Sequence, residues 1–296
     1  MIIEEGYIDF LEYKTYYRIA GADKKNTPLL ILHGGPGSTH NSYELLDALA
    51  DRDDRPIITY DQLGCGLSSI PDDKPELYCK EIWVKEIENL RKQLKLNTIH
   101  LMGHSWGGML SIIYLCDYQP QGIKSVNLSS TLSSASLWDK ETHRLISYLP
   151  ISDQEAIAKA EKTDNYSSCE FAIANKDYLK MTVADLSSEK EISPCLKRKK
   201  NSGSVAYLTA WGPSEFRPLG NLCDYEYTDK LKSITCPVLL TSGGMDESTP
   251  LQNKTMYDSL TCAKDWHLFP NARHMTYFEN NQEYIEVLSA FLKKND

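Results

Sequence analysis

The chain has 296 residues, 41% hydrophobic and 25% charged, which leaves about 120 side chains for burial, enough for one large α/β core or two small ones, and excludes disorder as the dominant state. Acidic residues outnumber basic ones 41 to 32, for a formal charge of −9, the wrong sign for a nucleic-acid partner, whose phosphates call for clustered Lys and Arg. No run approaches the roughly 18 apolar residues of a membrane span, and the opening Met1-Ile2-Ile3-Glu4-Glu5 lacks the basic and apolar regions of a signal peptide, so no membrane association is expected.

Near the start, Tyr7, Asp9 and Leu11 alternate with Ile8, Phe10 and Glu12, the period of an antiparallel strand. Continuous apolar runs follow at 28–32, 56–60 and 98–102, each ending in glycine-containing loops, and another at 125–128. Between them, 41–50, 79–95 and 106–118 carry helical spacing, as in Ile82, Val84, Ile87, Leu90 and Leu94. Buried strands that stop at glycines and alternate with helices predict a mostly parallel sheet covered by helices, an α/β fold.

From 136 to 225 the texture changes to many charges, few strand-like runs, and helical periodicity around 138–149 and 153–162. This segment reads as an inserted helical cap, because strands resume at 237–241 and 266–269; the core is then 1–135 plus 226–296. The run Lys197-Arg198-Lys199-Lys200 reads as a solvated helix end. Eight cysteines at irregular positions, with no C-x-x-C pair, fit neither a disulfide framework nor a zinc site and read as reduced, mostly buried thiols of a cytoplasmic protein. No metal and no cofactor is expected, and composition is silent on oligomeric state.

Gly103-His104-Ser105-Trp106-Gly107 fits G-x-S-x-G, directly after a buried strand and directly before an apolar helix. The glycines make steric sense, since a tight strand-to-helix turn leaves room only for minimal side chains beside an exposed serine. A serine hydroxyl is a poor nucleophile at neutral pH, so it needs a histidine base and a carboxylate to orient that base. His267 falls inside a strand pattern, whereas His274 lies in the polar loop before the last helix and is the candidate base. The loop after strand 237–241 supplies Asp246, giving the order Ser, Asp, His. Taken singly, Asp246 reads as a turn residue and His274 as a loop histidine; their joint order at strand ends points to a triad. His33-Gly34-Gly35-Pro36-Gly37 follows the strand 28–32, where such folds place one oxyanion donor, the other being the residue after the nucleophile; Gly35 and Trp106 are the candidates.

These residues, with Tyr60-Asp61-Gln62-Leu63-Gly64-Cys65-Gly66-Leu67-Ser68, Gly212-Pro213-Ser214-Glu215-Phe216 and Asp246-Glu247-Ser248-Thr249-Pro250, resemble the α/β-hydrolase fold. Within it the resemblance is to the proline iminopeptidases, with the related tricorn-interacting aminopeptidase and L-amino-acid amidases. It implies an eight-stranded, mostly parallel sheet with helices on both faces and an inserted cap. It also implies a serine aminopeptidase that removes an N-terminal residue, preferentially proline, from short peptides, with Glu215 and Glu247 binding the substrate's free amine. The same triad would serve an amino-acid amidase or an esterase, and a non-catalytic ligand-binding protein on a hydrolase scaffold is a more distant reading.

Overall fold

The computed structural model describes residues 1–185 and 192–296; residues 186–191, within the expected cap, lie outside the described residues. β1 (Ile3–Phe10) and β2 (Tyr13–Ala20) form the expected antiparallel hairpin. The parallel strands are β3 (Leu29–Leu32), β4 (Ile57–Tyr60), β5 (Ile99–His104), β6 (Ile123–Ser129), β7 (Val238–Gly243) and β8 (Lys264–Phe269). All eight join one sheet in the order β1-β2-β4-β3-β5-β6-β7-β8, with β2 running antiparallel to β4.

The continuous apolar runs are explained by burial on both faces. Alternate residues of β3, β4 and β7 belong to different cores: Leu30, Leu32, Ile58, Tyr60, Val238 and Leu240 face one side, and Leu29, Ile31, Ile57 and Leu239 the other. The first side is covered by α2 (Lys80–Gln93) and α3 (Trp106–Ile113), through Trp83, Ile87, Leu110 and Ile113. The second is covered by α1 (Ala48–Asp53) and the C-terminal α11 (Asn281–Lys294), through Leu49, Tyr284, Leu288 and Leu292. The helix expected over 41–50 is a 3-10 helix (His40–Leu46) followed by α1, so the periodic stretch changes from 3-10 to α bonding at Asp47.

Between β6 and β7 lie α4 (Ala135–Ile146), α5 (Ile151–Thr163), α6 (Cys169–Thr182), α7 (Pro194–Lys197) and α8 (Ser204–Ala210). They build a small core of their own from Ile146, Leu149, Ile157, Phe171, Tyr178 and Phe216. Backbone bonds seat this segment over the C-terminal ends of the strands: Gly203 N–H donates to Gly37 O at 2.8 Å, Gly66 N–H to Asn201 O at 2.8 Å, and His274 N–H to Thr182 O at 3.0 Å. α9 (Pro250–Ser259) and the short α10 (Thr276–Glu279) complete the chain.

All eight cysteines are free, but only Cys65, Cys116 and Cys195 are buried, fewer than expected. Cys169 and Cys223 are exposed because they occupy a helix start and a surface loop, where the apolar-residue rule has no hold. No helix among the described residues is long and apolar enough to cross a membrane.

Candidate active site

Ser105 sits between β5 and α3 at φ 55° and ψ −122°, a conformation that L-residues avoid and that turns the serine out of the strand. The flanking glycines permit it: a Cβ on Gly103 would lie 2.2 Å from Gly107 O, and one on Gly107 would lie 2.1 Å from Leu32 O. Close approach of α3 to β5 and β3 therefore sets both positions.

Asp246 follows β7 and His274 follows β8, and the fold brings them together across 28 residues, with Asp246 Oδ1 2.7 Å from His274 Nδ1. Asp246 is held by the N–H groups of Ser248 (2.7 Å) and Gly243 (3.3 Å), so its orientation is fixed by backbone. With Nδ1–H given to the carboxylate, Nε2 is left as the basic nitrogen. Ser105 and His274 line one cavity of about 200 Å³, together with Gly34, Gly35, Glu215 and Glu247. Among the described residues the Ser105 hydroxyl has no hydrogen-bond partner; in resting hydrolases the serine–histidine bond is often long and tightens only with substrate bound.

Gly35 stands at φ +114°, and a Cβ there would meet Gly37 N at 2.6 Å, so the loop requires glycine. The same loop approaches the nucleophile, since a Cβ on Gly34 would lie 3.2 Å from Ser105 Cβ. The N–H groups of Gly35 and Trp106 have no acceptor among the described residues, as free oxyanion donors require. Gln62 holds the arrangement: its N–H donates to His33 Nε2 (3.0 Å), its amide nitrogen to His33 O (3.1 Å), and its amide oxygen accepts from Trp106 Nε1 (2.8 Å). Burial pushes His33 down to about 4, so it stays neutral and keeps Nε2 as an acceptor.

Tyr43 ties this loop to the histidine loop. Its hydroxyl accepts from Gly34 N–H (3.2 Å) and meets His104 Nδ1 (3.0 Å), while His104 Nε2 contacts His274 O (3.1 Å). Because a carbonyl only accepts, His104 carries its proton on Nε2 and Nδ1 accepts from Tyr43. Burial and the neighbouring His274 push His104 down to about 3, which holds it neutral.

Glu215 and Glu247 reach the same cavity from different elements. Tyr207 donates to Glu215 Oε2 at 2.6 Å, and the indole N–H groups of Trp138 (2.9 Å) and Trp211 (3.2 Å) fix its backbone carbonyl. Glu247 Oε1 is 3.7 Å from His274 Nε2, and its Oε2 has no hydrogen-bond partner among the described residues. Burial raises both carboxyls, and for Glu247 the charge of Glu215 adds to the rise. For His274 burial acts in the opposite sense, against its charged form, but Asp246, Glu247 and Glu215 outweigh it and raise the imidazole to about 9. The cavity thus gathers two carboxyl groups around a base at a cost to their charged forms, a cost that a bound cation would relieve.

All seven residues singled out in the sequence converge here. Sequence reasoning missed Tyr43 and Gln62, whose roles depend on contacts between distant segments, and Tyr207, whose partner Glu215 lies eight residues on. The basic run 197–200, expected to be a solvated helix end, follows the end of α7 at Lys197 and is exposed at all four positions. Within that exposed run Arg198 pairs with Glu44 at 2.7 Å and Lys200 borders the same cavity as Ser105, since the segment folds back on the loop after β3.

Fold and site together define the class of an α/β hydrolase, with Ser105 at the strand-to-helix elbow. Residues 27–281 match the family described as alpha/beta hydrolase fold. Over 296 residues, covering all of both chains, the protein is 54% identical to a proline iminopeptidase of Lactobacillus acidophilus. It is 50% identical over 297 residues, again covering both chains, to one of Clostridium botulinum. Among solved structures, VinJ superposes with a TM-score of 0.90 at 27% identity, covering 99% of each chain. The proline iminopeptidase of Mycobacterium smegmatis gives 0.87 at 27% identity, covering 99% of this chain and 98% of that one. The chain belongs to the proline iminopeptidase family of α/β hydrolases.

Proposed function

We propose that the protein is a serine aminopeptidase that removes N-terminal proline from short peptides. The observation that carries this reading is the pair Glu215 and Glu247, two carboxylates in the cavity of Ser105 and His274, one with an oxygen left unpaired. A prolinium nitrogen is a cation with two N–H donors, and one carboxylate for each satisfies it; hydrogen bonds between charged groups contribute about 1.5–3 kcal/mol each. Leu179, Val183 and Met275 supply apolar cavity wall suited to the pyrrolidine ring. Helical segment 136–225 acts as the cap over the core of 1–135 and 226–296.

In the reaction, Ser105 Oγ attacks the carbonyl carbon of the first residue as His274 Nε2 takes the hydroxyl proton, and Asp246 stabilises the imidazolium. Gly35 and Trp106 N–H groups bind the oxyanion. The C–N bond breaks as His274 returns its proton to the leaving amine. Water then attacks the prolyl ester, His274 accepts its proton, and proline and the Ser105 hydroxyl are released. Bound ammonium offsets the negative field of Glu215 and Glu247, which lowers His274 toward its ordinary value and frees the base when a free-amine substrate is present. Amino-acid amides present the same ammonium and carbonyl and are accepted by the same contacts. The unpaired thiols, two of them exposed, support a reducing, cytoplasmic setting.

The test is release of a fluorogenic amine from free prolyl, alanyl and leucyl amides by wild type and Ser105→Ala. Turnover led by the prolyl amide and abolished in the variant is expected; turnover surviving in Ser105→Ala would overturn the assignment.

A further inference from the structure

The chemistry above gives Lys200 no task, yet it lines the cavity with Gly34, Gly35, Ser38 and Ser105. Its segment is clamped on the oxyanion loop through the Gly203–Gly37 backbone bond and on the loop after β4 through the Gly66–Asn201 bond, and a Cβ on Gly37 would fall 2.4 Å from Gly203 O. Among the described residues no carboxylate lies within ion-pair distance of its ammonium, although Arg198, two residues earlier, takes Glu44. Lys200 is exposed to solvent at the cavity mouth, and the protein packed around it still lowers its ammonium from the ordinary value. Its charge acts on His33, the first residue of the oxyanion loop, and Cys195 acts on it in turn. The cavity is therefore polarised, with an ammonium on the oxyanion-loop side and two carboxylates on the other, and Ser105 in the lining.

Resting on the aminopeptidase reading, we propose that Lys200 is a specificity-determining residue that receives the C-terminal carboxylate of the leaving amino acid, so that the favoured substrates are dipeptides with a free carboxylate. In such a dipeptide the ammonium is anchored by the glutamates and the scissile carbonyl faces Ser105. The carboxylate then follows within a single residue of the cleaved bond. Each further residue moves that carboxylate about 3.3–3.6 Å onward along an extended chain, so the benefit fades with peptide length.

The experiment compares kcat/KM for prolyl-alanine, prolyl-alaninamide and a prolyl arylamide in wild type, Lys200→Met and Lys200→Arg. Wild type should prefer the acid to the amide by about tenfold, the size of one charge-assisted contact. Lys200→Met should bring that ratio close to one through KM, and Lys200→Arg should keep it. Arylamide turnover by wild type with no acid preference, or a preference that survives in Lys200→Met, would overturn the proposal alone. A ratio lost equally in Lys200→Arg would assign the residue a structural role and overturn it too. Failure of the wild type on the arylamide would overturn the aminopeptidase reading and this proposal with it.

Discussion

At the scale of single residues the site works by placing charge where the reaction needs it. Ser105→Ala removes the proposed nucleophile and should lower kcat by on the order of 10⁶-fold, since a triad without its serine retains only binding and oxyanion stabilisation. Glu247→Gln separates two roles. The loss of a buried carboxylate should raise KM for free-amine peptides far more than for a neutral aryl ester. It also removes a negative charge 3.7 Å from His274 Nε2. His274 is raised to about 9 in part by that charge, and the reaction needs the neutral imidazole. The variant's histidine should lose its proton at lower pH, so the acid limb of the ester pH–rate profile should move to lower pH. A limb that stays in place or moves upward would contradict the electrostatic account.

Among the elements, the active loops are braced by one another rather than by the sheet alone. Tyr43 is the brace between the loop after β3 and the loop after β8. Tyr43→Phe leaves Gly34 N–H and His104 Nδ1 buried without partners, at about 1–3 kcal/mol for each such group, and should show in a lower urea midpoint together with a reduced kcat. Gly107→Ala should prevent folding or shift α3 off β3, because its methyl would lie 2.1 Å from Leu32 O; circular dichroism and yield of soluble protein check it. The sheet, its parallel sense and the elbow were legible in the sequence, because apolar runs and glycines are local signals. The positions of Ser105, Asp246 and His274 followed from their places at strand ends. Tyr43, Gln62 and Lys200 were not legible, because each acquires its role from a partner more than twenty residues away or from a segment folded back on the core. The expected helix over 41–50 is helical throughout, Asp47 included at φ −56° and ψ −28°; its change from 3-10 to α bonding at that residue has no signature in apolar spacing.

For the molecule as a whole, the C-terminus is fastened to the sheet by a buried cation. Arg55 is fully buried and pairs with Asp296 through both carboxylate oxygens, at 3.1 and 2.7 Å, beside His100 at 3.2 Å. Breaking a buried pair costs about 3–5 kcal/mol, but Asp296 is one-third exposed, so solvent screening reduces the expected loss in Asp296→Asn to about 1–3 kcal/mol, read by thermal or urea unfolding. Asp296 loses charged-form solvation on burial, but Arg55 and His100 more than offset this and hold its carboxyl below the usual range. Its contribution is present above the unfolded carboxyl pKa and is lost as pH falls through the folded one, so wild type and variant should converge in stability on the acid side. The fold's larger consequence is the cavity between sheet and helical segment, where Ser105, His274, Glu215 and Glu247 meet, the proposed nucleophile, base and amine-binding acids. The most direct measurement is the ratio of kcat/KM for a free prolyl arylamide to that for its acetyl-capped counterpart. This account predicts a ratio above 10³ that collapses in Glu247→Gln; comparable turnover of the capped substrate by wild type would contradict it.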